Sequence, residues 1–277
     1  MAAVDPSQFA RARSDAVVLD VRSEQDFARA HLAGSGHLPR PQLRERRSEL
    51  PPRDARLLIA AESAAAAREA AAEVADLGYA RVDWLEAPLT DVPIELVPGA
   101  PARLWRPSPF LERVRPRLPA PGPGVRVLDL AAGAGREAVF MALDGYAVEA
   151  WDHDHQVLQR AAALAAHHGV TITTRTYNLE RSTPRLPEGD CDVVMVFRFL
   201  HRPLFPHLER ALARGGYLVY ETFLRGQERF GRPRHPRFLL DPEELTHSFP
   251  SLEVETYEES RPENGPLLAR LLARRPA

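Results

Sequence analysis

At 277 residues the chain is longer than one ordinary core requires and suits two compact domains. With 44% hydrophobic and 27% charged residues it is globular and not disordered, and a net charge of −2 gives no global attraction to nucleic acid or to an anionic membrane. One cysteine, Cys191, excludes an intrachain disulfide and a cysteine-rich metal site, and no segment is apolar for long enough to span a bilayer. The N-terminus has no charged start with an apolar run behind it, so a cytoplasmic protein is expected. All 36 basic residues are arginines, a bias that weakens any argument from an arginine cluster alone.

In chain order, Ala16-Val17-Val18-Leu19-Asp20-Val21-Arg22 reads as a buried strand ending in a charge pair. A short helix over 24–30 and a glycine-punctuated loop over 31–39 follow it. A second buried strand over 56–61 leads into an alanine-rich helix over 64–77, capped by Gly78-Tyr79, and a further strand over 82–85. Strands alternating with helices predict a parallel sheet.

Leu19-Asp20-Val21-Arg22, Ala30-His31-Leu32-Ala33-Gly34-Ser35 and Gly78-Tyr79-x-x-Val82 stand in the order and spacing of the rhodanese family, which the first 92 residues resemble. The resemblance puts a nucleophilic cysteine seventeen residues before the Gly-Tyr pair, where this chain has Ala61. Without a thiolate there is no nucleophile for sulfur transfer. Glu62 would also repel an anion from the loop, and Ala64, Ala65 and Ala66 offer it no polar side chain. Residues 1–92 are therefore expected to be an inactive rhodanese-like domain, with His31 and His37 as turn and packing residues. Nine prolines between Pro93 and Pro123 predict a stiff linker over 93–123 that holds apolar anchors at Trp105 and Phe110.

The stretch Val125-Arg126-Val127-Leu128-Asp129-Leu130-Ala131-Ala132-Gly133-Ala134-Gly135-Arg136-Glu137-Ala138 reads as strand, tight loop and helix. Gly133 and Gly135 let a ligand approach bare backbone while the following helix points unpaired N–H groups at the same place. The spacing also fits the dinucleotide fingerprint G-x-G-x-x-A. Asp129 argues against that ligand, because a carboxylate at the strand end repels pyrophosphate and suits an ammonium and a sulfonium. The same loop in an ordinary doubly wound domain would merely turn the chain.

This motif resembles that of the class I S-adenosylmethionine-dependent methyltransferases, and most closely the tellurite-resistance branch, with Ala131 and Ala132 where many members have glycine or cysteine. The resemblance implies a seven-stranded Rossmann-like sheet over 124–277, an α/β fold in both domains, and S-adenosyl-L-methionine as cofactor. Asp152, at the end of the predicted strand 147–151, is where a ribose diol would be held. Asp154 reads as the cap of the next helix. A third strand over 170–174 leads to Asn178 and Leu179, with Asn178 in the place of an adenine-binding aspartate.

A fourth strand over 192–197 places Phe197 and Arg198 beside the methionine portion and His201 beside the methyl acceptor. Gly215-Gly216 closes a helix, and a fifth strand over 217–220 presents Glu221. The chain ends in a strand pair, 252–257 and 266–274. The candidate cofactor residues are thus Asp129, Ala131, Gly133, Gly135, Asp152, Asn178, Leu179 and Phe197, and the candidate catalytic ones His201, Arg198 and Glu221. No metal triad is visible, and no Asn/Asp-Pro-Pro-aromatic motif marks amino-group methylation. A sparse site suits a soft nucleophile, so a small-molecule methyl acceptor such as a thiol or chalcogen oxyanion is expected, with no nucleic-acid partner. The alternative is a noncatalytic cofactor-binding or scaffold protein.

Overall fold

The computed structural model describes residues 1–181, 184–263 and 265–277. The chain divides into two units, Met1–Arg106 and Pro107–Ala277.

The first unit contains β1 (Ala3–Val4), α1 (Pro6–Ala12), β2 (Val17–Asp20), α2 (Glu24–Arg29), β3 (His31–Leu32), β4 (Gly36–His37), β5 (Leu57–Ala60), α3 (Ala64–Asp76), β6 (Val82–Leu85) and β7 (Leu96–Val97). Its sheet, in the order β1-β6-β5-β2-β4, is parallel throughout. Helices cover both faces of such a sheet, which is why β5 is an uninterrupted apolar run with all four residues buried. Helix α3 starts where the Ser63 side chain accepts from the Ala66 N–H, and Ala67, Ala70, Ala71 and Val74 form its buried stripe. The helix stops at Gly78, whose φ of +96° takes the chain out of the helical region.

The charge pair at the end of β2 is deeply buried: Arg22 donates Nε and a terminal nitrogen to Asp20, and the same terminal nitrogen also donates to the Ala30 carbonyl. It ties the β2 tip to the end of α2. Both histidines pack as expected, on opposite contacts of Phe27: His31 stacks at 3.8 Å and His37 at 4.3 Å, and each ring bonds a backbone carbonyl.

The second unit contains α4 (Pro109–Val114), β8 (Arg126–Leu130), α5 (Arg136–Leu143), β9 (Ala147–Asp152), α6 (His155–His167), β10 (Thr173–Thr176), β11 (Cys191–Phe197), α7 (Phe205–Ala211), β12 (Leu212–Phe223), α8 (Glu244–His247), β13 (Glu253–Ser260) and β14 (Leu268–Arg274). The seven strands run β10-β9-β8-β11-β12-β14-β13. The first five are parallel, and β14 is antiparallel to both neighbours. The order reverses between β8 and β11, and that crevice at the carboxyl ends is where such sheets take ligands.

Two local expectations are corrected. The third strand starts at Thr173 and not at residue 170, because the Val170 amide is spent closing α6, bonding Ala165 O at 3.0 Å. Gly215 and Gly216 close no helix; they lie inside β12, where a Cβ on Gly216 would come within 2.9 Å of the Cys191 carbonyl. Within the proline-rich segment β7 pairs with β3 in the first unit, while Pro109 opens α4 in the second. Proline fits the first helical position, where its missing N–H has no partner to lose. Trp105 and Phe110, both buried, fall in different units.

Removing one partner of a buried ion pair strands the other charge, so Asp20→Ala should destabilise the first unit by about 3–5 kcal/mol. Urea denaturation followed by far-ultraviolet circular dichroism measures it; an unchanged midpoint would contradict the role given to the pair.

Candidate functional site

Strand alternation sorts the residues at the carboxyl edge of the second sheet. Leu128 and Leu130 lie in the core on one face of β8, so Asp129 between them points to the other. Beyond Leu130 the backbone turns through three left-handed residues, Ala131 (φ +56°), Gly133 (+55°) and Gly135 (+76°). Gly135 is the N-cap of α5, and a Cβ there would meet the Ala161 Cβ of α6 at 2.5 Å and its Cα at 3.1 Å. Only glycine lets the two helices approach so closely. Gly133 has no heavy atom within 4 Å of where a Cβ would stand, which leaves its face open for a ligand. Ala131 holds the same left-handed conformation with a side chain, a conformation that costs strain and is tolerated where surroundings fix it.

Asp152 at the tip of β9 is 7% exposed and already organises this loop. One oxygen accepts the Gly133 N–H at 3.0 Å, and the other accepts the Asp154 N–H at 3.0 Å and lies 3.1 Å from His153 Nδ1. Asp154 caps α6, accepting from Gln156 and Val157 N–H groups, as its place in the sequence implied. Asn178, exposed beyond β10, accepts the Glu180 N–H at 2.9 Å through its side-chain oxygen, which fixes the direction of the amide. Leu179 is a core residue with 4% exposure, so its side chain is committed to packing.

Two carboxylates meet at Ser108, the N-cap of α4. The Ser108 N–H donates to Glu137 at 3.1 Å, and its hydroxyl donates to Glu221 Oε2 at 3.0 Å. Arg270 on β14 donates to the same Glu221 oxygen at 2.7 Å. Asp129, close enough to Glu137 to feel its charge, is 1% exposed, and among the described residues neither its Oδ2 nor the buried Glu221 Oε1 has a hydrogen-bond partner. Burial pushes the Asp129 carboxyl well above the ordinary carboxylate range, and the neighbouring Glu137 and Asp152 push in the same direction. Burial raises Glu137 as well. An orphaned carboxylate oxygen among like charges favours a cation, so the donor set fits the ammonium and sulfonium of the expected cofactor and opposes a pyrophosphate.

At the next strand tip, Phe197 lies opposite Glu221 in the β11–β12 register. Arg198 adopts φ +58° and donates its N–H to the Glu221 carbonyl at 2.7 Å. Its guanidinium stands 3.8 Å from Glu221 Oε1 and 5.5 Å from the Phe223 ring centroid, with the side chain 52% exposed. Glu221 is therefore held by Ser108 and Arg270, with Arg198 close by. His201 opens the short turn Arg202–Leu204 without capping it through its side chain. Ser108, Glu137 and Arg270 were not singled out from the sequence. Only Ser108-Pro109 carried a local signal there, as a cap followed by a first-position proline. Among the described residues no group of three potential metal ligands occurs, and no helix is long and apolar enough to cross a membrane.

Comparison with known proteins bears on the family. The model of tellurite resistance protein TehB matches residues 120–259, half of the chain, and that of the rhodanese-like domain matches residues 5–87. A probable S-adenosyl-L-methionine-dependent methyltransferase TehB of Haemophilus influenzae is 27% identical over 96 residues, 33% of this chain and 34% of that protein. Ribosomal RNA small subunit methyltransferase B of Thermus thermophilus is 29% identical over 159 residues, 47% of this chain and 39% of that protein. The chain thus spans well under half the length of these relatives. Among solved structures, TehB from Haemophilus influenzae is 21% identical, covering 60% of this chain and 61% of that one with a TM-score of 0.49. The cyclase SpnF is 18% identical over 61% of this chain and 80% of its own, with a TM-score of 0.50, a likeness of fold. With the strand order, the glycine loop and the family model in agreement, this chain belongs to the TehB family and carries a rhodanese-like domain ahead of the TehB region.

Proposed function

We propose that the second unit binds S-adenosyl-L-methionine at the carboxyl edge of its sheet and transfers the methyl group to a small-molecule acceptor, a thiol or a chalcogen oxyanion. The observation that carries this reading is the buried Asp129 Oδ2, without a hydrogen-bond partner among the described residues, at the end of the strand that leads into the open-faced Gly133 loop. The cofactor supplies a methyl group on a sulfonium; the acceptor's lone pair forms the new bond to carbon while the sulfur–carbon pair stays on sulfur, leaving a neutral thioether.

The chain's part is to bind, orient and set charge. Asp129 gives the cationic end a counter-charge, and a cation beside it favours its ionised form. Asp152, held by two backbone N–H groups, keeps free lone pairs for a ribose diol, and Ala131, Gly133 and Gly135 shape the backbone beside it. Asn178 takes the adenine edge and Phe197 borders the methionine portion. Arg198, exposed at its outer side and backed by Glu221, is placed to meet an anionic acceptor, with His201 on the same side of the edge. Such alignment suffices for a soft nucleophile that needs no strong base.

In the first unit Ala61 is fully buried at the position of the rhodanese nucleophile. The chain's one thiol, Cys191, is buried in the other unit and pushed up to about 12 by that burial. No sulfur transfer is proposed for this protein.

Asp152→Ala should weaken cofactor binding about 10- to 100-fold by calorimetry, the loss of a charge-assisted pair of bonds. Unchanged affinity would remove Asp152 from the site. A screen of thiols, selenite and tellurite with methyl-labelled cofactor tests turnover, and binding with no labelled product would favour the scaffold reading.

Asp129→Asn has a predictable pH signature. The folded-state pKa lies above the ordinary value of 3.8, so the stability this group contributes is complete below that value and is lost as pH rises through the folded pKa. The variant should therefore melt higher than the parent at pH 8, match it near pH 3.5, and bind cofactor more weakly. A parent melting curve with the same pH dependence as the variant would contradict the burial argument.

Thiocyanate formation from thiosulfate and cyanide should stay at background for the full chain, and activity in the unmodified protein would refute the assignment of Ala61. Recovery in Ala61→Cys would show that the loop retains its cradle.

A further inference from the structure

The first unit contains a second concavity that its lost chemistry does not account for. A cavity of about 690 Å³ opens at the amino edge of the parallel sheet. Ala16 and Val17 line it at the start of β2, and Pro51 and Ala55 line it ahead of β5. The loop holding Ala61 follows β5 and so lies at the opposite, carboxyl edge.

One wall is the segment 102–106, and it is firmly placed. The Ala102 N–H donates to the Ser35 carbonyl at 2.9 Å. Leu104 fills the space over Gly36, where a Cβ would sit 2.1 Å from its Cδ2. Trp105 is 1% exposed, and the Arg103 guanidinium lies 4.9 Å from its ring centroid. The floor is apolar, built from Val17, Val18, Pro51 and Leu104.

The charged lining is lopsided. Arg13, Arg103 and Arg106 face it against one acid, Asp54, in a chain whose net charge is −2. Neither Arg13 nor Arg106 belongs to an ion pair among the described residues, unlike Arg22, Arg40, Arg46 and Arg56 of the same unit. Cavities of roughly 300–1,000 Å³ with apolar walls and a few convergent polar groups are the usual form of small-molecule sites. Guanidinium groups are suited to planar or tetrahedral oxyanions.

We infer that this cavity binds a small organic anion, an apolar body carrying a phosphate or carboxylate, with Arg13 and Arg106 on the anionic group and the body against Val17 and Leu104. The site is independent of methyl transfer and gives the rhodanese-like unit a binding role without a nucleophile.

The test is calorimetry on the full chain in saturating S-adenosylhomocysteine, with 1-naphthyl phosphate, 1-naphthoate and 1-naphthol as probes. At least one anion should bind with 1:1 stoichiometry, and 1-naphthol at least about tenfold more weakly. Phosphate-only binding would identify phosphate esters as the class, and equal binding of both anions would identify charge plus apolar bulk; either supports the site. The double variant Arg13→Gln/Arg106→Gln, at exposed or half-exposed positions, should lose about tenfold or more in anion affinity with its melting temperature retained. Ala55→Phe should block the cavity and abolish binding. The inference is overturned if neither anion binds, if 1-naphthol binds as well as the anions, or if the arginine and Ala55 variants bind like the parent.

Discussion

The close approach of α5 to α6 at Gly135 is the constraint on which the ligand edge of the second unit depends. A single Cβ there would collide with Ala161, so the helix that follows the loop can take its position only with glycine at the turn. That position brings the start of α5 beside β8 and leaves the loop 131–135 to cross the gap in left-handed backbone. Asp152 then reaches over from β9 to the Gly133 amide and locks the loop to the neighbouring strand. Packing and ligand geometry are here the same fact, seen from two sides of one short segment.

Charge is arranged against stability at the same edge. Asp129 and Glu137 are buried close to one another, and both are driven toward the neutral form by loss of water. Ser108 reduces the cost by giving one hydrogen to Glu137 and another to Glu221, and Arg270 compensates Glu221 directly. Asp129 receives no such relief at its Oδ2. A cation beside that carboxylate would lower its cost, which is the physical basis of the proposed cofactor site.

The first unit holds its fold without a cysteine at the position of Ala61. Its parallel sheet, the alanine face of α3 and the buried Asp20–Arg22 pair need no cysteine to form, because they are held by apolar burial and one satisfied ion pair. Ala61 is itself a fully buried member of that packing.

Much of this was legible in the residues. The alternation of apolar runs with amphipathic helices determined two α/β units, and Asp129, Gly133, Gly135 and Asp152 could be placed at strand tips and a glycine turn, because these are local features with fixed spacing. Ala61 at the nucleophile position was equally readable. What the sequence did not determine was anything set by long-range approach. That Gly215 and Gly216 sit inside a strand depends on the Cys191 carbonyl beside them. That Leu179 is core, and that Glu221 is buried and bonded by Ser108, depends on neighbours up to 113 positions away in the chain. The link through Ser108 and Arg270 has no local signature, since hydrogen bonds between distant side chains leave no period in the sequence. Those contacts were decided only when the sheet closed, because burial and the loss of water that comes with it are properties of the packed fold and not of the residue.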